Sequence, residues 1–415
     1  MEEAKSFYIP EHLVWIAHMC VKNNKGAAGV DAVSLEEFEK DLDNNIYKIW
    51  NRMSSGSYFP PPVRTVQIPK TGGKRTLGIP TVADRIAQTV VKRCLEPTLE
   101  PIFDVDSYGY RPRKSALDAV KVARSRCWKY DWVLDLDIKG FFDNIDHDLM
   151  MKAVRFHTSD RWIWLYVERW LKAPGQLPDG RQIARDKGTP QGGVISPLLA
   201  NLFLHYAFDA WMRRIYPGVQ FERYADDIVV HCQSEKQVRE IHQNVADRLR
   251  NCGLELHPEK TKVVYCKDAN RRGNYDTISF DFLGYQFRPR ISRTRWGRYF
   301  VNFTPAISPK SIKRIFEVMR GWQFSRWTSS KLEDLATMIN LYVKGWINYY
   351  GKFCPSEMNS VMFHLNRKLV SWAMRKYKRF RFRARKATYW LGKIAHRDPA
   401  LFVHWRHGIK PSTGQ

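Results

Sequence analysis

Two carboxylates, Asp226 and Asp227, interrupt the apolar stretch Phe221-Glu222-Arg223-Tyr224-Ala225-Asp226-Asp227-Ile228-Val229-Val230. An apolar run enters, a short turn carries the acids and an apolar run leaves, which predicts a β-hairpin with an acidic tip. Adjacent carboxylates repel one another unless a cation lies between them. Hard oxygen ligands of this kind suit Mg²⁺, which keeps positions open for substrate phosphates. Asp also favours turns on its own account, so the hairpin by itself reads more readily as a solvated turn. A second acidic strand bears on the choice. Trp132-Val133-Leu134-Asp135-Leu136-Asp137-Ile138 has the composition of a buried strand, with Asp135 and Asp137 on one face. A carboxylate in such a strand calls for a metal or a cation. Asp137 is thus the natural complement to Asp226, and Asp135 reads as structural.

The remaining elements alternate. Helical patterns cover 7–52, broken at Gly26-Ala27-Ala28-Gly29, with a capping-box spacing at Ser34-Leu35-Glu36-Glu37. Val63 to Ile68 alternates as a strand, Lys70-Thr71-Gly72-Gly73-Lys74-Arg75 makes a basic turn, and Thr76 to Ile79 starts the return strand. Helices are predicted over 81–99, from Ala116 to Cys127, and from His147 to Ala173. Gly188-Thr189-Pro190-Gln191-Gly192-Gly193 forms a tight loop before Ser196-Pro197, an N-cap with proline at the first helical position. A further helix runs from Glu235 to Cys252, and Phe280–Phe287 forms a last strand or hairpin. This order is that of an α+β domain. Beyond Pro289 the patterns are helical, with Ser308-Pro309 and Ser330-Lys331-Leu332-Glu333 as starts.

Charge divides the chain in the same place. Of its 68 Lys and Arg and 42 Asp and Glu, residues 1–287 hold 41 and 37, so residues 288–415 hold 27 and 5. A near-neutral body followed by a segment of net charge +22 is the footprint of a polyanion binder. Many Trp and Tyr lie within this basic part, which favours nucleic acid over a lipid surface. In Arg375-Lys376-Tyr377-Lys378-Arg379-Phe380-Arg381-Phe382-Arg383-Ala384-Arg385-Lys386, aromatic residues interleave the cations and are expected to stack on bases or sugars. No apolar run reaches the roughly 18 residues of a membrane span. The seven cysteines are scattered without a Cys-x-x-Cys pair, and the acidic start lacks a signal-peptide core. A reducing bacterial cytoplasm, with association to the nucleoid, is the expected compartment.

Taken in order, these motifs resemble those of the bacterial group II intron-encoded reverse transcriptase/maturases, over nearly the whole length. Gly26 to Ser34 looks like the N-terminal extension motif of that family. Ile68-Pro69-Lys70 and Arg75-Thr76-Leu77-Gly78-Ile79-Pro80 look like its fingers hairpin. Asp137-Ile138-Lys139-Gly140-Phe141-Phe142-Asp143 is similar to its first catalytic motif, the 188–193 loop with Ser196-Pro197-Leu198-Leu199-Ala200-Asn201 to its second, and Tyr224-Ala225-Asp226-Asp227 to its third. Phe282-Leu283-Gly284-Tyr285 looks like the close of the palm, and Lys344-Gly345-Trp346-Ile347-Asn348-Tyr349-Tyr350 like the maturase or thumb segment. Some relatives carry an HNH endonuclease with cysteine pairs; no such pattern precedes Gln415, which argues against self-encoded second-strand cleavage.

The resemblance implies a right-hand polymerase fold, with fingers and a palm built on antiparallel sheet and an all-α thumb. The expected domains are an N-terminal extension over 1–55, fingers and palm over 56–290, a thumb/maturase domain over 300–380 and a basic nucleic-acid-binding segment over 381–415. It implies RNA-directed DNA synthesis with two Mg²⁺ ions, or Mn²⁺ as substitute, held by Asp137, Asp226, Asp227 and the carbonyl of Ile138. Lys70 and Arg75 would clamp the triphosphate of a dNTP, Phe142 would exclude a 2′-hydroxyl, and Gln191 with Gly192 would seat the nucleotide. Either Lys260 or Lys262 would donate a proton to pyrophosphate. Arg64, Arg111, Arg113, Lys344, Arg375, Lys376, Lys378, Arg379, Arg381, Arg383 and Arg385 would hold an intron or other structured RNA template and a DNA primer or target, with no membrane partner. The alternatives are a splicing-only maturase and a domesticated relative acting in antiphage defence, spacer acquisition or repair.

Overall fold

The computed structural model describes residues 6–70 and 73–414. The chain forms two compact units. One contains the described residues up to Ala119 together with Leu134–Thr261, and the other contains Val120–Val133 and the chain from Lys262 onward.

In the first unit, strands β1 (Val63–Lys70) and β2 (Gly73–Ile79) form an antiparallel ribbon with Arg64 opposite Ile79 and Ile68 opposite Arg75. This is the basic hairpin expected from the alternation at Val63 to Ile68. Helix Val82–Leu99 follows, and its N-cap Thr81 accepts the Asp84 amide through Oγ1 at 3.1 Å. Strand β3 (Trp132–Asp137) leads into a short helix, Phe141–Asn144. Helices His147–His157 and Arg161–Lys172 come next, and then two short strands, β4 (Gly175–Gln176) and β5 (Gln182–Ile183), which complete the sheet of β1 and β2. Strands β6 (Gln220–Tyr224) and β7 (Asp227–Cys232) pair antiparallel, and β7 lies beside β3. Phe221, Ile228, Val229 and Val230 are fully buried, so both faces of this pair are covered.

In the second unit, β8 (Lys262–Tyr265) precedes β9 (Phe280–Phe282), β10 (Tyr285–Arg293) and β11 (Tyr299–Ile307), the last three forming an antiparallel sheet. Helices Pro309–Gly321, Leu332–Tyr350, Asn359–Lys376 and Ala384–Arg397 then pack around Trp372, Phe402, Trp405, Leu335, Ile339 and Leu391. The architecture is the expected one, α+β followed by helices. Two helix starts differ from expectation. Ser196 lies inside its helix, and its hydroxyl pairs with Thr189 Oγ1 at 2.8 Å instead of capping. Lys331, not Ser330, is the N-cap of Leu332–Tyr350, because its amide donates to Asp334 at 2.7 Å. Leu256 forms an isolated bridge opposite Ile138. Among the described residues, no helix is long and apolar enough to cross a membrane.

Candidate active site

Tyr224 and Asp227 face each other across the β6–β7 pair, so Ala225 and Asp226 form a two-residue turn. Ala225 has φ +55°, a left-handed conformation that costs a non-glycine residue roughly 1 kcal/mol and persists only where the surroundings impose it. Here they do. Arg223 is fully buried and clasps Asp209 through two bonds, Nε to Oδ1 at 2.7 Å and Nη2 to Oδ2 at 2.6 Å. Its remaining nitrogen, Nη1, donates to the Ala225 carbonyl at 3.1 Å and to Asn201 Oδ1 at 3.0 Å. Asn201 in turn donates to the Gly109 carbonyl at 2.7 Å. Gly109 lies flat on the turn, where a Cβ would stand 2.4 Å from the Ala225 nitrogen. The turn is therefore gripped from both sides, and it presents Asp226 half-buried and Asp227 exposed.

Asp137 ends β3, the neighbour of β7. Its amide donates to Thr261 Oγ1 at 3.4 Å, and its carbonyl accepts the His257 amide at 2.7 Å. The Lys139 amide donates to Glu255 O at 2.8 Å, so Ile138 is the residue of that bridge whose own backbone groups point to the opposite side. The Asp137 carboxylate meets the ammonium of Lys260 at 3.3 Å. Of the two candidate lysines, Lys260 thus stands beside an acid of the site. Tyr110 links the acidic turn to the basic ribbon. Burial, then Tyr224 and Asp226, push its hydroxyl above the usual range, while Arg75 pulls the other way.

The glycine loop is tied down by its backbone. Gly188 N donates to Ile145 O and Thr189 N to Phe142 O, both at 2.7 Å, and His147 Nε2 donates to Gly188 O at 2.8 Å. Phe142 is buried beneath this loop, against Phe141. Gln191 is the loop's junction: its carbonyl accepts the Gly78 amide at 2.8 Å, its Oε1 accepts Arg75 Nε at 2.5 Å and its Nε2 donates to Asp143 at 3.4 Å. At Gly192, with φ +121°, a Cβ would fall 2.3 Å from the Gly78 carbonyl. Arg75, Phe142, Gln191 and Gly192 therefore lie about one loop. The backbone of Lys70 ends β1, and its side chain lies outside the described residues, as do Thr71 and Gly72.

Two residues expected to contact nucleic acid are engaged within the protein. The Arg111 guanidinium, 7% exposed, is held by Glu100, by Asp104 O at 2.5 Å and by Ser107 O at 2.8 Å, so it fixes its own loop. Lys376 donates to the carbonyls of Thr328, Ser329 and Ser330 and closes that turn. Nor do all the interleaved aromatics face outward: Phe380 is core, Tyr377 packs on Trp372 and Trp390, and Phe382 alone of the three is 86% exposed. Arg113, Lys344, Arg375, Lys378, Arg379, Arg381, Arg383 and Arg385 are exposed, and Arg64 is half-buried at the start of β1. Arg375 also lines a cleft of about 290 Å³ with Arg320 and Lys368. The residues that the sequence reading missed are those that grip the turn, Arg223, Asp209 and Asn201. Only an arginine inside an apolar strand could have pointed to them.

Among the described residues, no three His, Cys, Asp or Glu side chains form a metal cage. The acids instead form an open set, ending two neighbouring strands. That donor set suits a cation that keeps water and substrate oxygens in its shell. With a cation, Arg75, bonded to the glycine-loop residue Gln191, the class defined is a nucleic-acid polymerase with a palm-type acidic centre.

Comparison with known proteins agrees. Residues 68–287 match the model described as reverse transcriptase (RNA-dependent DNA polymerase), and residues 312–390 match the group II intron, maturase-specific domain. The chain belongs to the reverse transcriptase family and is an RNA-directed DNA polymerase with a group II intron maturase domain. It is similar to protein YkfC of Escherichia coli, 33% identical over 325 residues, covering 68% of this chain and 82% of YkfC. It is also similar to the group II intron-encoded protein LtrA of Lactococcus lactis, 32% identical over 259 residues, covering 61% of this chain and 41% of LtrA. A structure of telomerase from Candida albicans with a fragment of telomeric RNA aligns over 90% of this chain and 67% of its own, at a TM-score of 0.47 and 12% identity. The family is dependent on a divalent metal.

Proposed function

We propose that the chain extends a primer 3′-hydroxyl with dNTPs at Asp137 and Asp226, copying an intron or other structured RNA, and that it also binds its intron RNA to assist splicing and retrohoming. The observation that carries this reading is the Tyr224–Asp227 turn, locked by Arg223 and Gly109 on the strand next to Asp137. Phosphoryl transfer asks a protein for positioning and charge neutralisation more than for covalent chemistry, and a rigid acidic tip supplies both. Asp137, Asp226 and the Ile138 carbonyl would hold Mg²⁺, or Mn²⁺ in its place, with Asp227 as an outer partner. Bound there, the metal would supply activation of the attacking hydroxyl and charge neutralisation for the departing pyrophosphate. Arg75 binds the triphosphate, and its bond to Gln191 orients both for the incoming nucleotide. Phe142 forms the floor beneath the sugar and leaves no room for a 2′-hydroxyl. Lys260, beside Asp137, protonates the pyrophosphate. The exposed arginines of 375–385 and Lys344 hold structured RNA.

Primer extension on poly(rA)/oligo(dT) by the purified full chain tests this reading. Wild type should extend the primer, and Asp226→Ala and Asp137→Ala should each reduce the rate by on the order of 10³-fold, the loss of several kcal/mol of transition-state stabilisation. RNA affinity should be unchanged. Equal extension by wild type and Asp226→Ala would sink the proposal.

A further inference from the structure

Strands β10 and β11 are longer than their sheet requires. Their proximal halves are core: Tyr285, Phe287, Phe303, Ala306 and Ile307 are buried. Arg290 lies 3.4 Å from Glu357 at this base, and Trp128 Nε1 donates to Phe303 O at 2.8 Å. Beyond that point the ribbon continues with large apolar side chains exposed. Ile291 is 77% exposed, Trp296 75% and Tyr299 72%. At roughly 3.4 Å per residue, the five or so residues from Phe303 to the tip make an arm of about 17 Å.

The arm is held by its own backbone pairing and, at its base, by the Ala269 amide, which donates to Val301 O at 3.0 Å. Arg293 pairs with Tyr299 and Ser292 with Phe300 in register. At the tip, Thr294 N donates to Arg298 O at 2.8 Å, Gly297 N to Thr294 O at 3.0 Å and Arg298 N to Thr294 Oγ1 at 3.1 Å. The surface thus presented is cationic and aromatic. From Arg288 to Asn302 the chain carries five arginines and no acid. The two at the base lie near Glu357, while Arg293, Arg295 and Arg298 at the end are exposed. The Arg295 guanidinium stands 4.0 Å from the centre of the Trp296 ring, and that of Arg293 5.7 Å from the Tyr299 ring. An apolar cluster this exposed marks an interaction site. The family matches leave the arm unassigned, since one ends at residue 287 and the other begins at 312.

We propose that this arm, residues 291–301, is a binding site for unpaired nucleotides of structured RNA, with Trp296 and Tyr299 stacking on bases and Arg293, Arg295 and Arg298 holding the adjoining phosphates. The charge complements a polyanion and repels a basic protein surface. The aromatic faces complement bases that are out of the helix, because bases within a duplex present only their edges. The inference rests on the reading that this chain handles RNA, and it extends that reading to a segment outside both matched domains.

Two variants of the full chain test the site: Arg293→Ala/Arg295→Ala/Arg298→Ala and Trp296→Ala/Tyr299→Ala. All five side chains are exposed, so both variants should melt at the wild-type temperature. The probes are a fluorescein-labelled RNA hairpin with an unpaired loop and a fully paired RNA duplex of equal charge. The arginine variant should bind the loop RNA at least tenfold more weakly and lower the slope of log Kd against log[KCl] by about 2 to 3. The aromatic variant should lose roughly 10- to 100-fold on the loop RNA at an unchanged slope, with duplex binding intact; Trp296→Phe/Tyr299→Phe should restore it. Wild-type affinity in both variants overturns the site. Equal losses on loop and duplex by the aromatic variant overturn the assignment to unpaired bases. Both variants should extend oligo(dT) on poly(rA) at the wild-type kcat; an inactive wild type would instead defeat the polymerase reading and leave the binding result standing.

Discussion

Arg223 shows why a charge is tolerated at the centre of an apolar strand. A buried ion pair contributes little net stability, because the desolvation of both charges offsets their attraction. The return here is geometric: with two nitrogens on Asp209, the third is fixed on the Ala225 carbonyl and on Asn201. Stability and positioning can therefore be separated. Arg223→Met leaves Asp209 buried and unpaired and should cost about 3–5 kcal/mol in urea unfolding. Arg223→Met with Asp209→Leu should regain most of that stability. Neither variant restores the donor to Ala225, so primer extension should stay low in both. Full activity in the refolded double variant would show that the acidic turn needs no clasp.

At the level of elements, the helix Val82–Leu99 and the glycine loop share one buried acid. Asp84 accepts from Trp170 Nε1 at 2.7 Å, Gln88 Nε2 at 2.9 Å and the Tyr58 hydroxyl at 3.1 Å, and Gln88 Oε1 accepts the Ile195 amide behind the loop. Its donors are neutral, and burial pushes the carboxyl from its usual 3.8 up to about 6. The folded state then holds the proton more tightly than the unfolded chain. The associated stability is complete below pH 3.8 and disappears as the pH rises through 6, a change of about 3 kcal/mol for a shift of roughly two units. The stability of wild type relative to Asp84→Asn should fall by that amount between pH 4 and pH 7, read from urea midpoints; a flat difference would show that Asp84 does not titrate there. Asp84 was not legible as a special residue, because sequence shows an acid in the first turn of a helix and not the Trp170 and Tyr58 that close over it. The same limit accounts for Arg223 and Asp209, whose pairing needs the fold, and for Phe380 and Lys376, since interleaving along a chain does not state which way a side chain faces. What could be read was local: the two ribbons from their apolar runs and turns, and the helix over 81–99 from its pattern. Ser196 and Ser330 misled because a hydroxyl near a helix start has other acceptors and donors within reach.

Across the whole molecule, charge and chemistry are allotted to different stretches of chain. The acids of the candidate centre belong to a segment of 287 residues with 41 basic and 37 acidic side chains, whereas the remaining 128 residues carry 27 and 5. Steering by such a field weakens as salt screens it, while the Arg75–Gln191 junction acts at hydrogen-bond range, well inside a Debye length. Salt should therefore act on capture and not on the chemical step. If about five phosphates are neutralised, log Kd should change with log[KCl] at a slope near 4 to 5, and KM for primer–template should rise roughly 10²- to 10³-fold between 50 and 200 mM KCl. With primer–template kept saturating, kcat should stay within about twofold. Steady-state extension at several KCl concentrations measures both constants. Asp226→Ala should follow the wild-type slope in direct RNA binding, because it removes a carboxylate from a centre that the basic segment does not contain. A kcat that falls with salt while KM holds steady would place the work of those arginines in the reaction itself.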